Sequence, residues 1–361
     1  MTKLTDLYDV EGQSPWLDNV RRDWLRDGTM ARLIDDGVRG VTSNPTIFAK
    51  AVAATSDYDE QLASLRDETP DEAFFKVAGK DIADTAALLN GVHESSDGAD
   101  GFVSFEVPPT LAYDTEGTVA AARQVAATLE LPNLLVKVPA TEQGLGAISA
   151  LISEGTSVNV TLIFGLERYD EVIDAYLAGL ESAAAQGRDL SSIASVASFF
   201  VSRVDTEVDA RLEKLGAPEA LRGRSAVAQA VLAYEQFARR FASGRFEALA
   251  AKGARPQRPL WASTSTKNPA YPDLLYVDSL IGPLTVNTMP DGTIKEFEDH
   301  GRLARTIDLD VEGARATLAA VKDAGVSIAD VAQVLERQGV ASFADSYRQL
   351  VSIIEEKRSA S

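Results

Sequence analysis

The 361-residue chain has no cysteine and only two histidines, His93 and His300. The first absence excludes disulfides, thiol nucleophiles and thiolate metal sites. The second excludes a histidine-rich metal site, and a Ser-His-Asp triad would have to use one of these two residues. Both lie in polar, turn-like stretches, "GVHESSDGADG" and "FEDHGRLA", and are expected at the surface. No stretch reaches the roughly 18 apolar residues of a membrane span, and "MTKLTDLYDVEGQ" at the start lacks the apolar core of a signal peptide. A cytoplasmic location is the expectation. Bases are outnumbered, with 35 Lys and Arg against 54 Asp and Glu and a formal net charge of -19. That balance argues against general nucleic-acid binding, which needs a basic face. An anionic substrate stays open if a few basic side chains are focused in one cleft.

What is present suits a soluble globular protein, with 45% hydrophobic and 25% charged residues. Short β-rich runs alternate with long amphipathic stretches. The runs are residues 14–20, 40–48 ("GVTSNPTIF"), 101–110, 133–140, 156–164, 193–204, 258–266 and 282–290. Between them, segments such as "TEGTVAAARQVAATLE" carry apolar residues at helical spacing. Strands separated by helices indicate parallel βα units. Eight such units suit a closed (β/α)8 TIM barrel, with an open doubly wound sheet as the alternative. No Gly-rich dinucleotide fingerprint follows the first run, which disfavours the open sheet. Residues 205–257 hold about two helices where one would do, so extra helices follow strand 6. Residues 311–357 read as three helices with Gly-containing turns between them. No linker separates domains, so residues 1–361 are expected to form one domain, with 311–361 packed on it as a helical extension.

Alternate side chains in a strand share a face. In "FVSFEV", Ser104 and Glu106 share one face; in "LLVKVP", Lys137 lies opposite Val136 and Val138. In "SVNVTLIF", Asn159 and Thr161 lie together, as do Thr42 and Asn44 in "GVTSNP". One face is aliphatic, as a helix layer requires. The other carries polar groups from at least four strands and would point into a closed barrel. These groups sit late in their strands, and barrel enzymes work at that C-terminal rim. Asp18, Asn44, Glu106, Lys137, Asn159, Thr161 and Ser198 are therefore expected around one pocket. The bland alternatives are a structural ion pair of Lys137 with Glu106 or Asp18, and Asp18 as a helix N-cap.

A lysine in a buried strand is the sharpest of these signals, because lysine is rarely buried without a partner. Desolvation disfavours the ammonium and lowers a lysine pKa by up to about 3–5 units. A neutral amine can attack a carbonyl and form a Schiff base, an electron sink that permits cleavage of the neighbouring carbon–carbon bond. That chemistry needs acid–base groups, and Glu106 and Asp18 are the carboxylates at hand.

These motifs resemble the transaldolase family. "GVTSNPTIF" looks like its first signature and "NLLVKVPATEQG" like its Schiff-base lysine segment, with "FVSFEVPP", "VNVTLIF" and "SFFVSRVD" in the family's order. The resemblance implies Lys137 as nucleophile, Glu106 as acid–base residue acting through water, and Asp18 as the proton acceptor for carbon–carbon cleavage. It implies that Thr161 positions the water. Asn44 and Asn159 would bind the dihydroxyacetone unit, with Thr42, Ser198 and Phe200 lining the pocket. Arg203 would bind the substrate phosphate, with Lys267 where the family often has arginine and Ser265 beside it. The implied reaction is a transfer of dihydroxyacetone, without cofactor or metal, among sedoheptulose 7-phosphate, glyceraldehyde 3-phosphate, erythrose 4-phosphate and fructose 6-phosphate, in the pentose phosphate pathway. A monomer or homodimer is expected. The competing readings are an aldolase that releases free dihydroxyacetone and a non-catalytic sugar-phosphate-binding protein. Glu106 and Phe200 favour transfer, since the aldolase branch tends to have glutamine and a tyrosine there.

Overall fold

A computed structural model of the chain describes residues 2–360. Among them, eight parallel strands hydrogen-bond in sequence order and close on themselves, β1 pairing with β8. The strands are β1 (Gln13–Leu17), β2 (Gly40–Val41), β3 (Phe102–Glu106), β4 (Leu134–Pro139), β5 (Val158–Ile163), β6 (Ser195–Phe200), β7 (Arg258–Ala262) and β8 (Thr285–Met289). The fold is a (β/α)8 barrel, and the open sheet is excluded.

The aliphatic strand face meets the helix layer. Val136, Val138, Val158 and Val160 are all buried there. Inside, the barrel is plugged at its N-terminal end. Asp100 accepts hydrogen bonds from Ser14, from Trp16 Nε1 at 2.8 Å and from Arg39 Nε at 3.0 Å. Gly40 is required beside this plug, because a Cβ there would lie 2.4 Å from the Trp16 ring. His93 departs from its expected place. It is half-buried against Phe102, with Nδ1 2.8 Å from the Asp100 carbonyl. His300 is exposed, beside Asp273.

Several boundaries differ from the sequence reading. The run 40–48 is strand only over Gly40–Val41, because Pro45 opens a helix (Pro45–Ala54) whose N-cap is Asn44. Asn44 Oδ1 accepts from Ile47 N at 3.0 Å, and Pro at N1 sacrifices no intrahelical bond. The run 193–204 stops at Phe200, and a helix begins at Ser202. Residues 205–257 carry three α-helices, Ser202–Lys214, Ser225–Phe241 and Gly244–Ala250, and one short 3-10 turn, Glu219–Leu221. The tail forms two helices, not three: Val311–Asp323 and a terminal helix, Ile328–Ala360. The second passes straight through Gly339, where a turn was expected. Gly339 is there for packing: a Cβ would lie 3.0 Å from Leu162 Cδ2. The terminal helix thus comes close to the end of β5 and runs across the helix Pro45–Ala54, where Thr46 Oγ1 donates to Ser346 Oγ at 2.8 Å. No described helix is long and apolar enough to cross a membrane.

Candidate active site

The register of the parallel ladder sets the site. Glu106 on β3 pairs with Lys137 on β4, and Lys137 pairs with Asn159 on β5, so the three form a row across neighbouring strands. Lys137 is buried; its Nζ lies 3.5 Å from Glu106 Oε2 and donates to the Ser43 carbonyl at 3.0 Å. The Phe343 ring, from the terminal helix, lies 5.6 Å from Nζ. Burial pushes the Glu106 carboxyl up to about 7; Lys137 opposes that shift and Asp18 adds to it. This is the range of a group that both gives and takes protons near neutral pH.

Two buried polar atoms near the row lack a full hydrogen bond. Glu106 Oε2 has only its 3.5 Å ion pair with Lys137, and Thr161 Oγ1 has no hydrogen-bond partner among the described residues. Buried polar atoms are normally satisfied, and exceptions are informative. Strand alternation puts Thr161 on the inner face with Asn159, and an irregularity follows it directly. The β5–β6 register shifts between Val160 and Ile163, and Leu162 takes a left-handed φ of 60°. A branched residue at such a φ is strained and persists only where surrounding contacts hold it.

A cavity of about 510 Å³ opens at the C-terminal end of the strands. Asp18, Thr42, Asn44, Lys137, Thr161, Ser198, Phe200, Arg203, Ser265 and Lys267 line it. Glu106 and Asn159 do not; they stand one step behind Lys137. Asn159 Nδ2 donates to Ser104 Oγ at 2.9 Å and its Oδ1 accepts from Ser198 Oγ at 2.7 Å, which leaves one amide N–H. Asp18 follows the last residue of β1 and caps no helix, since the next helix has Arg21 at its N-cap. Its Oδ1 accepts from Thr42 Oγ1 at 2.7 Å. Desolvation raises its carboxyl above the ordinary range, against the pull of Lys137, the Thr42 bond, Lys267 and Arg203.

The rim of the cavity is cationic in an acidic protein. Arg203 and Lys267 face it, and neither has a carboxylate partner at ion-pair distance among the described residues. Burial lowers both, and the repulsion between them lowers Lys267 further. Lys50, from the helix Pro45–Ala54, also lines the rim and adds to that repulsion. The sequence reading missed Lys50, together with Phe343. Lys50 was legible only once Pro45 is taken as the start of a helix. Three cations without an ion-pair partner among the described residues, converging on one mouth, mark a site for a multiply charged anion.

Comparison with known proteins gives the family. The family model described as transaldolase/fructose-6-phosphate aldolase matches residues 15–354. A curated protein of Frankia alni named transaldolase is 52% identical over 95% of this chain and 94% of its own length. Proteins of the same name from Thermobifida fusca (52% identical, 99% of this chain and 98% of that one) and Saccharopolyspora erythraea (50% identical, over the same shares) match as closely. The chain belongs to the transaldolase/fructose-6-phosphate aldolase family.

Proposed function

We propose that the chain transfers a dihydroxyacetone unit from a ketose phosphate to an aldose phosphate, as a transaldolase, through a Schiff base on Lys137. One observation carries the residue assignment: a buried amine on the cavity wall, beside a carboxyl group with affinity for protons near neutral pH.

The residues divide the work as follows. Lys137 Nζ attacks the ketose carbonyl carbon and forms a C–N bond. Attack requires the amine to shed a proton, and Glu106 is the acceptor at hand, directly or through a water held with Thr161 Oγ1. Glu106 then returns a proton to the departing hydroxyl, which leaves as water. Asp18 takes the proton from the hydroxyl on the carbon that becomes the aldehyde. The adjacent carbon–carbon bond breaks, its electron pair flows to the iminium nitrogen, and the aldose phosphate leaves. The three-carbon enamine stays on Lys137 until an acceptor aldehyde reverses these steps, so kinetics are ping-pong. Asn44, through its amide N–H groups, holds the three-carbon unit with Thr42 and Ser198, and Asn159, which does not line the cavity, orients the Ser198 hydroxyl through its Oδ1. Phe200 forms the wall under Arg203, whose guanidinium lies 5.5 Å from the ring. Arg203, Lys267 and Ser265 bind the phosphate, and Lys50 joins them. We place the enzyme in the cytoplasm, where sugar phosphates occur, as a monomer or homodimer.

Transfer and simple aldol cleavage share every step up to the enamine. The test is product analysis with fructose 6-phosphate, with and without erythrose 4-phosphate. Transfer predicts sedoheptulose 7-phosphate in the presence of the acceptor and little free dihydroxyacetone without it. Rapid release of dihydroxyacetone in both cases would make the chain an aldolase.

A further inference from the structure

The phosphate-binding cations stand on different elements. Arg203 is on the helix Ser202–Lys214, while half-buried Ser265 and exposed Lys267 are on the segment between β7 and β8. That segment is a thin wall. Lys267 faces the main cavity on one side and a second cavity of about 290 Å³ on the other. With space on both sides, the ammonium is held only from its own segment, where Nζ donates to Ser265 Oγ at 2.5 Å, so its distance from Arg203 depends on where that segment sits.

Two phenols bridge the elements. Tyr271 OH donates to Asp209 Oδ2 at 2.7 Å, and Tyr276 OH donates to Asp205 Oδ2 at 2.8 Å. Asp205 and Asp209 are one turn apart on the helix that carries Arg203, so they present one face. Their other oxygens are also held. Ala226 N donates to Asp205 Oδ1 at 2.8 Å, and Gly223 N donates to Asp209 Oδ1 at 2.9 Å. Gly223 has a left-handed φ of +68°, and a Cβ there would lie 2.6 Å from the Tyr271 ring. Only glycine lets the ring seat there. Nearer the barrel, Ser202 N donates to the Ser263 carbonyl at 3.1 Å. None of Asp205, Asp209, Tyr271 and Tyr276 lines the main cavity, so none of them is explained by contact with substrate.

We propose that the Tyr271–Asp209 and Tyr276–Asp205 pairs form a latch that sets the span between Arg203 and Lys267, which makes Tyr271 and Asp209 positioning residues for the substrate phosphate. The proposal rests on the reading of Arg203 and Lys267 as the phosphate-binding pair. Tyr271→Phe keeps the ring over Gly223 and removes only the tie. Its dissociation constant for inorganic phosphate, measured calorimetrically, should rise about ten-fold, as expected for loss of a hydrogen bond to a charged group. KM for fructose 6-phosphate should rise in step. Borohydride capture of dihydroxyacetone, which has no phosphate, should stay at the level of the unaltered enzyme. Asp209→Asn, which can still accept from Gly223 N and bond the phenol without the charge, should lose less phosphate affinity than Tyr271→Phe, while Asp209→Ala should lose as much. Unchanged phosphate affinity in Tyr271→Phe would overturn the latch. So would equal loss of phosphate binding and dihydroxyacetone capture, which marks general disruption. Phosphate binding that survives Arg203→Ala would overturn the anion site and the latch together. Failure of the unaltered enzyme to capture dihydroxyacetone would count against Lys137 alone, since phosphate affinity still decides the latch.

Discussion

Glu106 and Lys137 are direct register partners on adjacent strands, with the ammonium nitrogen 3.5 Å from the carboxylate and both side chains out of solvent. Removing one member of such a pair usually costs several kcal/mol, since the other charge is left buried alone. The Glu106 carboxyl, pushed up to about 7 by burial, sets a pH dependence. Below that value it holds the proton that the departing hydroxyl needs, and above it the carboxylate accepts one. The pH profile of kcat should show a limb near 7 that Glu106→Gln lacks, with a lower rate throughout. The same shift acts on stability. The folded pKa lies above the ordinary 4.5, so the stabilising contribution is complete below 4.5 and is lost as pH rises through about 7. Denaturant unfolding of Glu106→Gln across that window should show a flatter pH dependence.

Lys50 is the rim cation that the family motifs do not single out. Lys50→Gln should raise KM for phosphorylated substrates about three- to ten-fold, on the order of 1 kcal/mol for one partly solvated charge. Added salt should narrow the difference from the unaltered enzyme. Steady-state kinetics at two ionic strengths check both points.

Phe343 gives the terminal helix a direct part in the site, because its ring lines the cavity 5.6 Å from the Lys137 amine and covers it with apolar surface. Phe343→Ala should lower kcat at least about ten-fold and destabilise the fold by about 3 kcal/mol, the usual scale for deleting a buried aromatic ring. Phe343→Leu, which keeps the cover apolar, should recover most of the activity. Kinetics and thermal unfolding of the two variants test this.

Much of the site was legible because a strand with a period of two cannot hide an inward charge. "LLVKVP" and "VNVTLIF" put Lys137, Asn159 and Thr161 on the polar face, which is the inner face of the barrel. Helices conceal more. The β-branched run "GVTSNPTIF" reads as strand, yet the Asn44–Pro45 pair starts a helix, and only that helix brings Lys50 to the rim. Phe343 reaches Lys137 across more than two hundred residues, and no local pattern encodes such a contact. Gly339 misleads in the opposite sense, since glycine reads as a break and here serves close approach.

Two glycines separate these roles. Gly91 lies in the exposed face of the helix Pro70–Ser95 with nothing within 4 Å of an added Cβ, whereas Gly339 faces Leu162 at 3.0 Å. Gly91→Ala should stabilise the protein by up to about 1 kcal/mol through helix propensity. Gly339→Val should destabilise it by about 1–3 kcal/mol through overpacking and should slow turnover, because Leu162 follows Thr161 at the β5 irregularity. Calorimetric unfolding and activity of both variants decide the contrast.

Every step of the proposed transfer depends on covalent capture of a ketose by one amine. Mass spectrometry of the enzyme after borohydride reduction with fructose 6-phosphate tests this directly, with peptide mapping to place the label. A three-carbon adduct confined to Lys137, and absent from a folded Lys137→Arg variant that has lost turnover, is the predicted result. An unlabelled enzyme that still turns over, a label on a different lysine, or full activity in Lys137→Arg would contradict the account.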